Sequence, residues 1–121
     1  MIKNNVLATL SEKFSVRIIN MSRYLNAQKG EYVISKQILR SGTSIGANIA
    51  ESVFAQSRAD FINKLSIALK ESNETKYWLL QLYKTEMITQ KEYDSMLNDL
   101  KTIIGTLVNV IKKLKESEKI E

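Results

Sequence analysis

Apolar residues recur every three or four positions along almost the whole of this 121-residue chain, and no proline interrupts them. This spacing places side chains on one face of an α-helix, whereas a half-buried strand needs strict alternation. The chain also has only four glycines, which suits long helices better than a sheet of short strands with many turns. We therefore predict an all-α protein made of amphipathic helices.

Four such helices are predicted, over about residues 5–28, 35–54, 58–85 and 89–116. Gly30 follows the first and can end it, because glycine adopts the left-handed conformation at little cost. Ser35 and Ser57 are candidate N-caps for the next two helices, and the sequence TQKE, residues 89–92, is a capping box for the last. Connections this short favour an antiparallel up-down-up-down four-helix bundle that forms one domain over residues 1–121.

The composition removes several classes of function. Cysteine and histidine are absent, so thiol nucleophiles, zinc–thiolate sites and the Glu-x-x-His ligands of di-iron bundles are excluded. The stretch SGTSIG lacks the spacing of a phosphate-binding loop. We expect a protein that is not an enzyme and has no catalytic residues, metal or cofactor.

The hydropathy of the chain indicates its location in the cell. No apolar run approaches the roughly 18–20 residues of a membrane span, and the first residues do not resemble a signal peptide. We expect a soluble, cytoplasmic protein that does not bind a membrane.

The net charge of +5 is unevenly distributed. Residues 1–57 carry seven Lys or Arg against three Asp or Glu, whereas residues 58–121 carry eleven against ten. Such an excess is compatible with nucleic-acid binding and also with plain solubility, because no dense basic block is present. Tyr24 and Tyr32 lie among the basic residues and can stack on bases. The candidate phosphate contacts are Lys13, Arg17, Arg23, Lys29 and Lys36.

The stretch RSGTSIGANIAES, residues 40–52, has the composition of a loop but the periodicity of a helix. On a helical wheel it has an isoleucine seam, a flank of small residues that includes Gly42 and Gly46, and a polar stripe. Each glycine costs a helix about 1 kcal/mol relative to alanine, and close packing is the usual reason for it. That packing is either a tight helix crossing within the chain or a subunit interface. The polar stripe includes Arg40, Ser44, Asn48 and Glu51.

The third helix has a second face beside its core stripe, formed by Ile67, Glu71, Glu74 and Trp78. A tryptophan and an isoleucine flanked by carboxylates are typical of an interface, although two solvated glutamates and a half-buried tryptophan would give the same pattern. Arg40 is a candidate partner for either glutamate, within one subunit or between two.

The segments QILRSGTSIGANIAES and DFINKLSIALKESNETKYWL resemble the four-helix-bundle family of 23S rRNA intervening-sequence proteins. The pattern R-x-x-x-S-I-x-x-N-I-x-E begins at Arg40, and an A-x-x-E-x-x-E element begins at Ala68. The chain departs from many relatives in having no proline in the first connector and in having Ser52 where they have glycine. The resemblance implies a homopentamer of bundles arranged as a barrel. It also implies a relation to the accessory protein of diversity-generating retroelements, a basic pentamer that binds nucleic acid and a reverse transcriptase.

Two functional hypotheses follow. The first is a non-enzymatic homo-oligomer that binds RNA or DNA through its summed basic surfaces. The second is a scaffold that docks a protein partner, such as a reverse transcriptase, without binding nucleic acid directly. A purely structural protein without a ligand is a third possibility. Salt dependence separates the first two, because phosphate binding weakens steeply with salt and apolar docking does not.

Overall fold

The protein is a four-helix bundle, seen in a computed structural model that describes residues 5–120 and the side chains of residues 6–117. Consecutive helices pack against one another, and the last returns to the first, so that the four close a ring. Connections of four or five residues make neighbours antiparallel, which confirms the predicted all-α bundle. The helices are α1 (Asn5–Lys29), α2 (Ile34–Ser52), α3 (Arg58–Lys84) and α4 (Gln90–Ile120).

The core is a continuous column of aliphatic side chains with two phenylalanines, Phe14 and Phe61. Each helix contributes residues three or four positions apart, as the sequence periodicity requires. Burying one such side chain contributes roughly 1.5–3 kcal/mol, so this column drives the assembly of helices. The largest of its fully buried members are Leu7, Phe14, Ile18, Leu25, Ile38, Ile45, Ile49, Leu65, Leu79, Leu82, Leu100 and Ile103.

The starts of α3 and α4 follow the sequence signals. The Ser57 hydroxyl accepts a hydrogen bond from the backbone N–H of Asp60 (3.0 Å), as predicted for an N-cap. At α4, Thr89 Oγ1 accepts from the Glu92 N–H (3.1 Å) and Glu92 Oε1 accepts from the Thr89 N–H (2.8 Å). This reciprocal pair is the predicted capping box. At its other end α4 continues through Ile120, beyond the predicted end near residue 116, and Glu121 lies outside the described residues.

The start of α2 differs from the prediction, and the assignment of Ser35 as its N-cap was wrong. The helix begins at Ile34, and the Glu31 carboxylate accepts from the N–H groups of Val33 (3.3 Å) and Ser35 (2.8 Å). A carboxylate is a stronger acceptor than a hydroxyl for these unpaired donors. Ser35 is instead buried inside the first turn, where its hydroxyl donates to Asn26 Oδ1 (2.8 Å).

Gly42 and Gly46 lie where α2 crosses α1, so their close packing is within the chain. A Cβ added at Gly42 would lie 2.8 Å from Cγ1 and Cγ2 of Ile18. At Gly46 it would lie 2.9 Å from the Ser15 hydroxyl and 3.3 Å from the Ser11 carbonyl oxygen. The glycines therefore serve the helix crossing, which is the first of the two alternatives that the sequence left open.

Two glycine-to-alanine variants test this crossing. Gly42→Ala forces a methyl group into the buried Ile18 side chain, and overpacking a core costs roughly 1–3 kcal/mol. This outweighs the gain in helix propensity of about 1 kcal/mol. We expect the free energy of unfolding, measured by urea titration, to fall by about 1 kcal/mol.

Gly105→Ala is the matched control, because nothing lies within 4 Å of a Cβ added there. It should raise the free energy of unfolding by about 0.5–1 kcal/mol through helix propensity alone. Equal stabilisation by both substitutions would contradict a tight α1–α2 crossing.

Candidate functional site

A charged cluster on the outer side of α2 and α3 joins four of the residues singled out from the sequence. Arg40 Nη1 lies 3.2 Å from Glu71 Oε2, and Arg40 Nη2 donates to Glu74 Oε2. The Trp78 indole Nε1 donates to the same Glu74 oxygen (3.0 Å). Arg40 therefore pairs with both glutamates, and it does so within one chain.

The three charged side chains of this cluster are buried to different extents. The exposed fraction is 52% for the Arg40 side chain, 33% for Glu74 and 14% for Glu71. A carboxylate as enclosed as Glu71 needs a cation beside it, because water no longer solvates it fully. Arg40 supplies that charge to both glutamates, so the cluster is a fixed polar surface with one net negative charge.

The charged cluster is part of a polar seam between α2 and α3, which continues towards the other end of the bundle. Asn48 Nδ2 donates to the Ser44 carbonyl oxygen (2.9 Å) and hydroxyl (3.1 Å), and Glu51 lies 3.9 Å from Lys64 Nζ. Glu51 therefore pairs with a lysine of α3 and does not join the two carboxylates around Arg40. Ile67 lies half-buried on α3 beside this seam.

Beneath the charged cluster, Thr75 and Ser41 form a buried hydroxyl pair. Both side chains are 0% exposed, and the Thr75 hydroxyl lies 2.9 Å from the Ser41 hydroxyl. Thr75 also lies within hydrogen-bond distance of the Glu71 carbonyl oxygen (2.8 Å), so the pair is satisfied inside the core. The buried hydroxyl pair is thus connected to the exposed charged cluster through Glu71, whose backbone contacts Thr75 and whose side chain pairs with Arg40.

The charged cluster makes a salt-dependent contribution to stability. Arg40→Ala leaves Glu71 and Glu74 without a cation, and we expect a loss of about 1 kcal/mol at low salt, the upper end for partly exposed pairs. The loss should shrink at 1 M salt, where screening acts over about 3 Å. Urea unfolding at two salt concentrations measures both values.

Lys36→Ala, one helical turn earlier on the same face of α2, is the control. Lys36 is exposed and has no ion-pair partner among the described residues, so its loss should change stability by less than about 0.5 kcal/mol. A salt-independent loss for Arg40→Ala would mean that the guanidinium acts through packing alone.

The predicted basic surface separates into free and engaged cations. Arg17 is engaged: its Nη1 lies 2.6 Å from Asp99 Oδ2, and its Nη2 donates to the Ser95 hydroxyl (2.8 Å). It links α1 to α4. The remaining candidates are exposed and make no ion pair within the described chain; they are Lys13, Arg23, Lys29 and Lys36.

Sequence analysis missed a second group of free cations, on α4. Residues 100–115 contain no acid, and neither do residues 13–29 of α1. The two stretches lie on neighbouring antiparallel helices, and Glu92 and Asp99 of α4 lie beside the α1 stretch. The near-neutral balance of residues 58–121 concealed the α4 group, and counting charges helix by helix would have found it. The exposed lysines concerned are Lys101, Lys112, Lys113 and Lys115.

Two further observations bear on the class of site. In the part of the chain that the structure describes, no group of three or more acidic side chains is placed to hold a metal ion. Among the described helices, none has an apolar stretch long enough to cross a membrane.

These features define a small basic four-helix-bundle protein with a fixed polar seam between α2 and α3. The model of the 23S rRNA-intervening sequence protein family matches residues 3–109, and the chain belongs to that family. The resemblance predicted from the α2 and α3 segments is thereby confirmed.

A solved structure supports the same assignment. The chain is similar to a crystal structure of a protein with unknown function from the S23 ribosomal protein family of Bacteroides thetaiotaomicron, with 57% identity and a TM-score of 0.87. The match covers 88% of this chain and 98% of the other. The comparison with curated proteins found no match.

Proposed function

We propose that the protein binds RNA, or another nucleic acid, without catalysing a reaction on it, as a cytoplasmic homo-oligomer. The observation that carries the proposal is the pair of acid-free basic stretches on neighbouring helices α1 and α4. Membership of a family described by 23S rRNA intervening sequences agrees with an RNA ligand. The proposed contacts are Lys13, Arg23 and Lys29 on α1, with Lys101, Lys112 and Lys113 on α4; Lys36, in the first turn of α2, is a further candidate.

These cations favour phosphate as a ligand because they make no ion pair within the described residues. A lysine already paired with a carboxylate gains little from a phosphate, whereas an exposed unpaired lysine releases condensed counterions when it binds one. Arg17 differs from the others because Asp99 and Ser95 already hold it. Arg17 therefore serves better as a link between α1 and α4 than as a phosphate contact.

Binding should weaken when these lysines are removed. We expect a Lys13→Ala, Lys101→Ala, Lys113→Ala triple variant to bind a single-stranded RNA less tightly. The slope of log K against log salt is negative, and it should become shallower by about 0.7 for each phosphate that the variant no longer neutralises. Fluorescence anisotropy at several salt concentrations measures both quantities.

A triple variant of Lys70, Lys76 and Lys84 to alanine is the matched control. These three lysines are exposed on α3, which does not pack against α1, so the same change in net charge falls away from the proposed surface. Equal weakening by both triple variants would mean that net charge, and not this surface, governs binding. Binding that is absent at low salt would favour the scaffold that docks a protein partner.

Assembly into a homo-oligomer would bring several copies of the proposed basic surface together. The family resemblance implies a homopentamer, and a five-fold ring needs two different surfaces on each subunit. The α2–α3 connector offers an apolar contact, because Val53 is 56% and Phe54 84% exposed. Several weak basic faces joined in one ring bind a long RNA more tightly than one face does.

Light scattering tests the assembly directly. We expect a mass about five times the 13.8 kDa of the chain, and a lower mass for Phe54→Ser, which removes apolar contact area at the connector. Val33→Ser, at the opposite end of the bundle, removes another exposed apolar side chain and should leave the mass unchanged. A monomeric mass for the unmodified protein would remove the oligomer from the proposal.

A further inference from the structure

A cleft of about 350 Å³ lies in the seam between α1 and α4, inside the proposed RNA-binding face. Its floor is apolar and is formed by Met21 of α1, Met96 of α4 and Ile88 of the preceding connector. Met96 and Ile88 are 3% and 4% exposed, so the floor belongs to the core. Thioether side chains are flexible and polarizable, which suits contact with the face of a flat ring.

Polar groups line the rim of this cleft. Asn20 and Tyr24 stand on α1, Glu92 faces them from α4, and the Arg17–Asp99 ion pair lies towards one end. Asn20 and Tyr24 make no side-chain hydrogen bond within the described chain. Glu92 Oε1 is engaged by the Thr89 N–H at the start of α4, whereas its Oε2 accepts no hydrogen bond from the described residues.

Tyr24 stands between this cleft and a neighbouring one. A second cleft of about 340 Å³ shares Tyr24, Ile88 and Glu92 with the first, and its lining also includes Lys29 and Glu86. Tyr24 is 37% exposed, so its ring is accessible from the seam. An aromatic ring between two adjoining clefts is the kind of platform on which bases of a single strand stack.

The groups that line the cleft indicate which nucleobase it would bind. The apolar floor and the Tyr24 ring suit the faces of a base, and Lys29 in the lining of the second cleft suits a phosphate. The Glu92 carboxylate accepts hydrogen bonds and donates none, so it favours a base edge with adjacent N–H donors. Guanine presents two such donors side by side, N1–H and N2–H, whereas adenine, cytosine and uracil do not.

We propose that the α1–α4 cleft binds a guanine base of single-stranded RNA, with Glu92 accepting from its N1–H and N2–H groups. Tyr24 stacks on the base, and Met21 and Met96 support its other side. The inference rests on the proposed function for its biological ligand. Occupancy of the cleft is separately measurable with a mononucleotide.

The first experiment observes the cleft itself. Methyl resonances of protein labelled with ¹³C-methyl methionine are followed during titration with guanosine monophosphate and, separately, adenosine monophosphate. We expect the Met21 and Met96 methyl signals to shift with the guanine nucleotide at lower concentration than with the adenine nucleotide. Unshifted signals, or equal shifts with both nucleotides, would overturn the assignment to guanine.

The second experiment separates base recognition from phosphate binding. Anisotropy compares a uridylate heptamer with the same heptamer carrying one central guanine. A bidentate carboxylate–base pair discriminates by roughly 1–3 kcal/mol, which corresponds to a gain in affinity on the order of tenfold for the guanine oligomer. Equal affinities would overturn the cleft assignment while leaving the basic face intact, and no binding of either oligomer would instead count against the proposed function.

Two conservative variants locate the effect. Glu92→Gln keeps an acceptor for the α4 capping box, which accommodates Glu or Gln, but removes the carboxylate. It should abolish the guanine preference, and the loss of one negative charge should tighten the binding of both oligomers to a similar extent. Tyr24→Ala should weaken binding of the guanine oligomer by about fivefold or more because the stacking ring is gone, and Tyr24→Phe should restore it. Retention of the guanine preference in Glu92→Gln would exclude the carboxylate as its source.

Discussion

The close crossing of α1 and α2 sets the arrangement of the remaining bundle. Gly42 and Gly46 allow Ile18 and the Ser11–Ser15 turn of α1 to approach the α2 backbone directly. With α1 drawn to α2, its opposite side packs far less extensively against α4. The α1–α4 seam is consequently joined by an apolar floor and the Arg17–Asp99 ion pair, and it leaves room for the cleft between them.

The two sides of the ring use charge differently. On the α2–α3 side, Arg40 is shared by Glu71 and Glu74, and Lys64 faces Glu51, so charges are paired and side chains are held in place. On α1 and α4, Arg17 is paired with Asp99, whereas Lys13, Arg23 and the exposed α4 lysines make no ion pair within the described residues. Paired charges favour structure and specificity of contact, whereas unpaired charges favour attraction of a polyanion.

Sequence reasoning succeeded where one local rule governs the outcome. Helical periodicity predicted all four helices, and the caps at Ser57 and Thr89 depend only on neighbouring backbone groups. It failed at Ser35, because the competing acceptor, Glu31, lies in the connector just before α2 and accepts from the Ser35 N–H. The candidate site was predicted less completely than the fold. Pairing of Arg40 with the α3 glutamates followed from chemistry and helical position, but the capture of Arg17 by α4 did not. The α1–α4 cleft has no signature in the sequence, because its lining comes from α1, α4 and the connector between α3 and α4, which are far apart along the chain.

The buried Ser41–Thr75 hydroxyl pair determines which turn of α2 lies beside which turn of α3. Leucine and isoleucine contacts tolerate a slide of one helical turn, about 5.4 Å, because similar side chains recur at that interval. The same slide would leave Ser41 without Thr75 in a site that water does not reach, at a cost of about 1–3 kcal/mol. Register is thus fixed from inside the core. The alignment of Arg40, next to Ser41, with Glu71 and Glu74, which lie in the turn that leads to Thr75, is the outward result of that internal hydrogen bond.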